Sequence, residues 1–302
     1  MEAIRRLGIV WCVVWAARAQ NPCPRPEEIA PCVCIFDQSA VAVDVDCSDA
    51  DTSDQIYTAF NDATWTFRNL RSFRMEYSPV RDLPPGVFGS QSFQQMEIVF
   101  TDISTVDPSA LSPSADRLTS LTMSENLVSS FPFDLLPEMR VLTHLDLSWN
   151  ALTFLPAIRS SSLEALYLYM NRIDRFDEGT WSLPNLKYFF IGSNQFSELP
   201  LGLVESMGQL VVFSAQFSLL GPLRNGSLAF TGGAIDEVNL AVNSISNLES
   251  GAISGLGINS DLVLSQNGIR ELTEDSFRPI LEVLSRGAGL LQLNGSVRFA
   301  SL

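Results

Sequence analysis

An eleven-residue frame, L-x-x-L-x-L-x-x-N-x-L, recurs along this chain and restricts its folding more than any other feature. LTHLDLSWNAL, from Leu142, matches the frame at every position. The frame returns as LTSLTMSENLV from Leu118, LEALYLYMNRI from Leu163, LKYFFIGSNQF from Leu186, IDEVNLAVNSI from Ile235 and NSDLVLSQNGI from Asn259. Degenerate copies begin at Leu70, Phe93, Leu210 and Ala288. The ninth position then reads Ser78, Thr101, Asn126, Asn150, Asn171, Asn194, Ser218, Asn243, Asn267 and Ser296, at intervals of 21 to 29 residues. Self-similarity at such a period is the mark of units that stack on one another.

Within each frame the fourth and sixth positions flank one residue that points the opposite way, which places a short strand there. Leu145 and Leu147 are expected to face inward and Asp146 outward. One coil cannot bury such leucines alone, whereas stacked coils share a continuous core. The chain therefore reads as an α/β solenoid: a leucine-rich-repeat arc of about ten coils with a concave parallel β-sheet and a disulfide-bonded N-terminal cap. Ten strands at about 4.8 Å spacing give a sheet about 45 Å along its stack. The asparagine can bond backbone groups where each strand turns away, and stacked asparagines can form a ladder. Serine and threonine do this less well, so the coils of Ser78, Thr101, Ser218 and Ser296 are expected to be soft. Short helices or irregular turns should return the chain along the convex side. Before the last frame, Phe277, Ile280, Leu281 and Leu284 fall at i, i+3, i+4 and i+7, which predicts an amphipathic helix.

The ends follow different logic. Arg5 and Arg6 precede the apolar run Leu7 to Ala17, with small residues at Ala17 and Ala19. This pattern predicts a signal peptide over 1–19, too short in its apolar stretch to span a bilayer. Residues 20–69 are then the cysteine-rich N-terminal cap and 70–302 the repeats. Losing Arg5, Arg6, Arg18 and Glu2 moves the formal net charge from −15 to −17. An acidic surface of this kind argues against nucleic acid and anionic membrane as partners. Cys23, Cys32, Cys34 and Cys47 cluster behind the leader, an even count that reads as disulfides in an oxidising compartment rather than as zinc ligands, with three pairings open. Val41, Val43, Val45 and Cys47 alternate as a strand added to the sheet edge. At the other end Leu291 and Leu293 are expected to finish the core with little over them. A truncated product is the favoured explanation, ahead of a splice variant or an end-to-end dimer.

The spacing C-x8-C-x-C-x12-C resembles the cysteine-rich cap of extracellular leucine-rich-repeat proteins, which implies the pairs Cys23–Cys34 and Cys32–Cys47. The segments CPRPEEIAPCVC, DVDCSDADTSDQIYTAF, LPPGVFG and SFQQMEI resemble a secreted arthropod leucine-rich-repeat family, that of the oplophorus-luciferin 2-monooxygenase non-catalytic subunit. The likeness runs through most of residues 21 to 295. Members usually close with a cysteine-containing C-terminal cap, whereas this chain has no cysteine after Cys47. The resemblance implies an extracellular accessory or binding protein and does not imply bioluminescence.

On an arc of this kind the concave sheet is the default binding surface. Its outward positions are the second, third, fifth, seventh and eighth of each frame. In the middle coils they hold Trp149, Tyr167, Tyr169, Met170, Tyr188, Phe190 and Phe217, and in earlier coils Glu76, Tyr77, Glu97, Phe100 and Glu125. Aromatic anchors among acidic and polar residues are the composition of an interface, so another extracellular protein is the expected partner. A separate secreted enzyme, such as a luciferase-type monooxygenase, is the alternative one. Ser120, His144 and Asp146 share the face, but residues two apart on a strand lie about 6.6 Å apart, too far for a ready hydrogen bond. No catalytic residue and no cofactor is expected. The run Asp44, Asp46, Asp49, Asp51 and Asp54 lacks the glycine and closing glutamate of a calcium loop and reads as a solvated cap surface. Asn225 and Asn294 head N-x-S sequons and are candidate glycosylation sites, the first in a convex loop and the second outward in the final frame.

Overall fold

The computed structural model describes residues 21–233 and 235–296, so the expected leader lies outside the described residues. Each frame contributes one strand of a single sheet: Asn69–Glu76, Ser92–Val99, Ser120–Thr122, His144–Asp146, Ala165–Tyr167, Tyr188–Phe190, Val212–Ser214, Glu237–Asn239, Asp261–Val263 and Leu290–Gln292. These ten strands pair in parallel and in chain order. Equivalent frame positions are register partners, as in Ser120↔His144, His144↔Ala165 and Ala165↔Tyr188. In the first nine coils the fourth- and sixth-position side chains, Leu145 and Leu147 among them, are buried between coils, whereas Leu291 and Leu293 of the last are only partly buried, as expected of residues that finish the core with little over them. On the return side short helices such as Pro108–Leu111 alternate with two-residue strand pairs, for example Phe154–Leu155 with Arg175–Phe176.

The asparagines do form a ladder. Asn150 Oδ1 accepts from the Val128 amide of the preceding coil at 2.8 Å. Its Nδ2 donates to the Met123 carbonyl of that coil at 2.7 Å and to Leu147 and Ser148 of its own. Asn171, Asn194, Asn243 and Asn267 repeat the pattern. Serine falls short of it. Among the described residues Ser218 Oγ reaches only the Asn194 amide, at 3.3 Å. The Phe196 amide, which an asparagine there would serve, has no acceptor among the described residues.

At the N-terminus a hairpin of Val33–Asp37 and Ala42–Asp46 pairs antiparallel within itself and parallel to the first coil. Val43, Val45 and Cys47 are buried as the alternation requires. Val41 departs from it. It sits in the hairpin turn with φ of 50° and is exposed, because the chain must reverse before the strand begins. The disulfides are Cys23–Cys34 and Cys32–Cys47, with Cα–Cα distances of 5.7 and 4.2 Å. Helix Ser53–Asn61 is started by Thr52, whose hydroxyl accepts from the Gln55 amide while Gln55 Oε1 accepts from Thr52. Below it lies an aromatic knot. Phe73 meets Phe88, Phe93 and Phe60 at ring distances of 4.8, 5.6 and 6.0 Å.

The acidic run is not uniformly solvated. Asp49, Asp51 and Asp54 are exposed, whereas Asp46 accepts from Ser48 and Asp44 is clamped by Arg71. Arg71 Nε donates to Asp44 Oδ1 at 2.8 Å, and Nη1 donates to Asp37 Oδ2 at 3.1 Å. The Ser39 hydroxyl, the Ala40 amide and Arg71 together hold the Asp37 carboxyl down from 3.8 to about 2. A depressed value means that this group stabilises the fold fully above its ordinary range, and that the contribution vanishes as pH falls through about 2. Asp37→Asn should therefore flatten the unfolding-midpoint profile between about pH 4 and 2 and leave its shape above about pH 5 unchanged. Thermal unfolding across that range checks this, and an unaltered acid limb would dismiss the clamp.

The predicted helix before the last frame is Glu274–Leu284. Phe277, Ile280 and Leu284 are buried in it, but Leu281 is 47 % exposed. The helix is covered along one narrow stripe, and Leu281 lies beyond the stripe's edge.

Candidate functional site: the concave face

Parallel in-register stacking brings same-position side chains of neighbouring coils within one strand spacing of each other. Tyr167 and Phe190, both at the fifth position, consequently stack with ring centroids 5.2 Å apart and planes 4° from parallel. His144 approaches Tyr167 from the other side at 5.1 Å. Tyr188, exposed, precedes Phe190 on the same strand. Tyr169 follows Tyr167 by two residues and is half-buried. Burial, then the nearby Asp146 carboxylate, then Tyr188 and Tyr169 raise the Tyr167 phenol above its ordinary range. These four aromatics form one patch on two adjacent coils, with Tyr169 just past the end of its strand.

The other three expected residues lie elsewhere. Every eighth position from Tyr77 to Gln266 adopts a left-handed backbone, with φ between 53° and 57°. This turns the chain out of the sheet and sets Trp149, Met170 and Phe217 along its rim, beside the patch rather than within it. A left-handed non-glycine residue costs about 1 kcal/mol or more, and neighbouring coils hold the conformation in place. The Trp149 amide donates to Tyr169, Met170 to Gly192 and Phe217 to Ala241 at 3.0 to 3.2 Å. Nothing in the side chains themselves announces this; the position immediately before the ladder residue was the available signal. The same rim carries a second stacked pair, Tyr77 on Phe100, at 4.9 Å.

A recess of about 190 Å³ opens beside the patch, lined by Tyr169, Phe190, Gly192, Ser193, Ser214 and Gln216. Gly192 is required there, since a Cβ would lie 2.5 Å from the Gln216 carbonyl oxygen. Gly192→Ala is expected to cost about 1–3 kcal/mol as an overpacked site. Denaturant unfolding measures this, and a change under about 0.5 kcal/mol would mean that the backbone yields freely at this coil.

Ser120, His144 and Asp146 do share the face, but Asp146 Oδ1 is engaged by the Ser148 amide and hydroxyl. Among the described residues no aspartate is hydrogen-bonded to His144, as an acyl-transfer triad would need. Among the described residues no group of three histidine, cysteine, aspartate or glutamate side chains is placed to hold a metal ion. No described helix is long and apolar enough to cross a membrane. Asn225 and Asn294 are both exposed, and their partner serines Ser227 and Ser296 are buried.

No family model matches the chain. It is 30% identical over 267 residues to the oplophorus-luciferin 2-monooxygenase non-catalytic subunit of Oplophorus gracilirostris, covering 87% of this chain and 73% of that protein. It is 30% identical over 131 residues to Podocan-like protein 1 of Mus musculus, covering 42% and 23%. Of solved structures, the APL1 leucine-rich repeat domain superimposes with a TM-score of 0.57 at 18% identity, covering 76% of this chain and 63% of that one. A chain of the Latrophilin 3, Unc5D and FLRT2 complex gives 0.56 at 16% identity, covering 77% and 82%. Likeness at those identities shows the leucine-rich-repeat fold alone, whereas identity sustained over nearly three quarters of the first relative shows common descent. The chain belongs to the family of the oplophorus-luciferin 2-monooxygenase non-catalytic subunit.

Proposed function

We propose that this is an extracellular protein-binding module that engages its partner through the concave face and has no catalysis of its own. The observation that carries this reading is the patch of Tyr167, Phe190, Tyr188 and Tyr169 on adjoining coils of an open face. Rigid, partly exposed aromatics are the usual anchors of interfaces. Trp149, Met170 and Phe217 extend it along the rim. Two disulfides and the predicted leader support an extracellular setting. In this reading residues 1–19 are the leader, 20–69 the cap and 70–302 the repeats, and Asn225 and Asn294 carry glycan.

A second reading makes the partner a separate secreted enzyme that this chain stabilises. The family relation favours it, since the relative is named as a non-catalytic subunit. Affinity capture of the secreted protein from its source fluid, beside a Tyr167→Glu/Phe190→Glu variant, tests both. A partner held at fixed ratio by the native protein should be lost with the variant, and an enzyme in that role selects the second reading. A partner retained by the variant would place the interface on another face.

A further inference from the structure

The charges around the patch specify what kind of partner side chain it takes, given that the concave face is the binding face. From the third coil to the tenth, the outward positions carry Glu125, Asp146, Glu164, Asp236, Glu237 and Asp261. They carry a single cation, Lys187, and its Nζ donates to Glu164 Oε2 at 2.8 Å. Unopposed carboxylates along the arc attract a positive surface and raise its rate of encounter.

Within that field the recess beside Tyr169 and Phe190 has unused acceptors. Ser214 is 4 % exposed and lines it, yet its hydroxyl meets no hydrogen-bond partner among the described residues. Its oxygen is not sealed within the core but open to the recess, where a donor on a ligand can reach it. The Gln216 side-chain amide and the Ser193 hydroxyl, in the same lining, are likewise unbonded among the described residues. Gly192, in the same lining, lets the Gln216 backbone of the next coil approach closely, since a Cβ would lie 2.5 Å from its carbonyl oxygen. Aromatic faces, neutral oxygen acceptors and surrounding carboxylates are together the surroundings that favour a guanidinium. Arginine is planar, stacks on aromatic rings and offers five donors in a fixed fork, while lysine presents a compact charge that is more strongly hydrated.

We propose that the concave face docks a basic segment of a partner protein and seats one of its arginine side chains in the recess formed by Tyr169, Phe190, Gly192, Ser214 and Gln216. The acidic outward residues steer the segment, and the recess selects arginine over lysine.

Fluorescence anisotropy with a labelled nona-arginine peptide tests this on the full secreted protein, with nona-lysine and nona-citrulline peptides as controls. Nona-arginine should bind at low salt, at least threefold more tightly than nona-lysine and at least tenfold more tightly than nona-citrulline. Tyr169→Leu/Phe190→Leu, which leaves every charge in place, should weaken arginine binding about tenfold and erase the preference over lysine. Ser214→Ala, a smaller change at a residue whose hydroxyl holds no other group, should weaken it about threefold. Glu237→Gln/Asp261→Asn should lower affinity for both cationic peptides and reduce the salt dependence. Equal binding of arginine and lysine, binding unmoved by the leucine double variant while its unfolding midpoint is native, or no binding at low salt would each overturn the proposal. A captured partner that needs the concave face but is not displaced by nona-arginine would also overturn it, and would leave the protein-binding reading standing.

Discussion

Phe73→Ala is expected to destabilise the protein by about 4 kcal/mol, within the range for truncating a fully buried phenylalanine. Phe73 is the fourth-position residue of the first coil, paired in register with Val45 of the cap hairpin and Met96 of the second coil. Its ring is inaccessible to solvent and packs edgewise or tilted against Phe60, Phe88 and Phe93, with Trp65 stacked on Phe60 behind it. One residue thus joins the cap helix, the hairpin and the first two coils. The knot is rigid because its rings interlock, so little collapse into the vacancy is expected and the cavity contribution should be large. Since coils contact only their neighbours, the damage should also be local. Denaturant unfolding with the disulfides intact measures the loss. Hydrogen exchange should show amides of residues 42–99 opening well before those of the central coils. A loss below about 1 kcal/mol, or exchange that rises uniformly, would show that the cap is anchored elsewhere.

Asn150→Ala is expected to cost about 3 kcal/mol without exposing any apolar surface. The substitution leaves the Val128 amide and the Met123 carbonyl of the preceding coil without their side-chain partner, and each unmade buried hydrogen bond costs about 1–3 kcal/mol. The reverse experiment is available in the same molecule. Ser218→Asn would place an acceptor beside the Phe196 amide and a donor beside the Ile191 carbonyl, and should raise stability by about 1 kcal/mol. Thermal and denaturant unfolding of the two variants decide the matter. If Asn150→Ala lost under about 1 kcal/mol and Ser218→Asn gained nothing, the coils would be held by apolar stacking alone.

The frame made the strands legible in detail. Ten ninth-position residues located ten strands, and a period-two pattern within each assigned inner and outer faces, as Leu145, Asp146 and Leu147 show. The ladder was legible too, because asparagine chemistry at a fixed offset leaves few alternatives. Two assignments made from local periodicity were wrong at their margins. Val41 continues the alternation of Val43 and Val45 yet lies in a turn, and Leu281 continues a helical stripe yet stays exposed. Periodicity reports which residues suit a covered face and is silent about where the cover ends. The acidic run failed similarly, since the partner of Asp44 is Arg71, 27 residues away.

The candidate site divides along the same line. The repeat frame alone places Tyr167, Tyr169, Tyr188 and Phe190 outward on consecutive coils, since the facing of a side chain relative to its strand is a local property. The stacking of Tyr167 on Phe190, the placing of Trp149, Met170 and Phe217 on the rim, and the recess that Gly192 and Ser214 line beside the patch come from the tertiary arrangement. Each of these depends on register between coils separated by more than twenty residues and on the backbone turn that the ladder imposes. Such contacts are set by the stacking of whole coils on one another, which no single frame encodes.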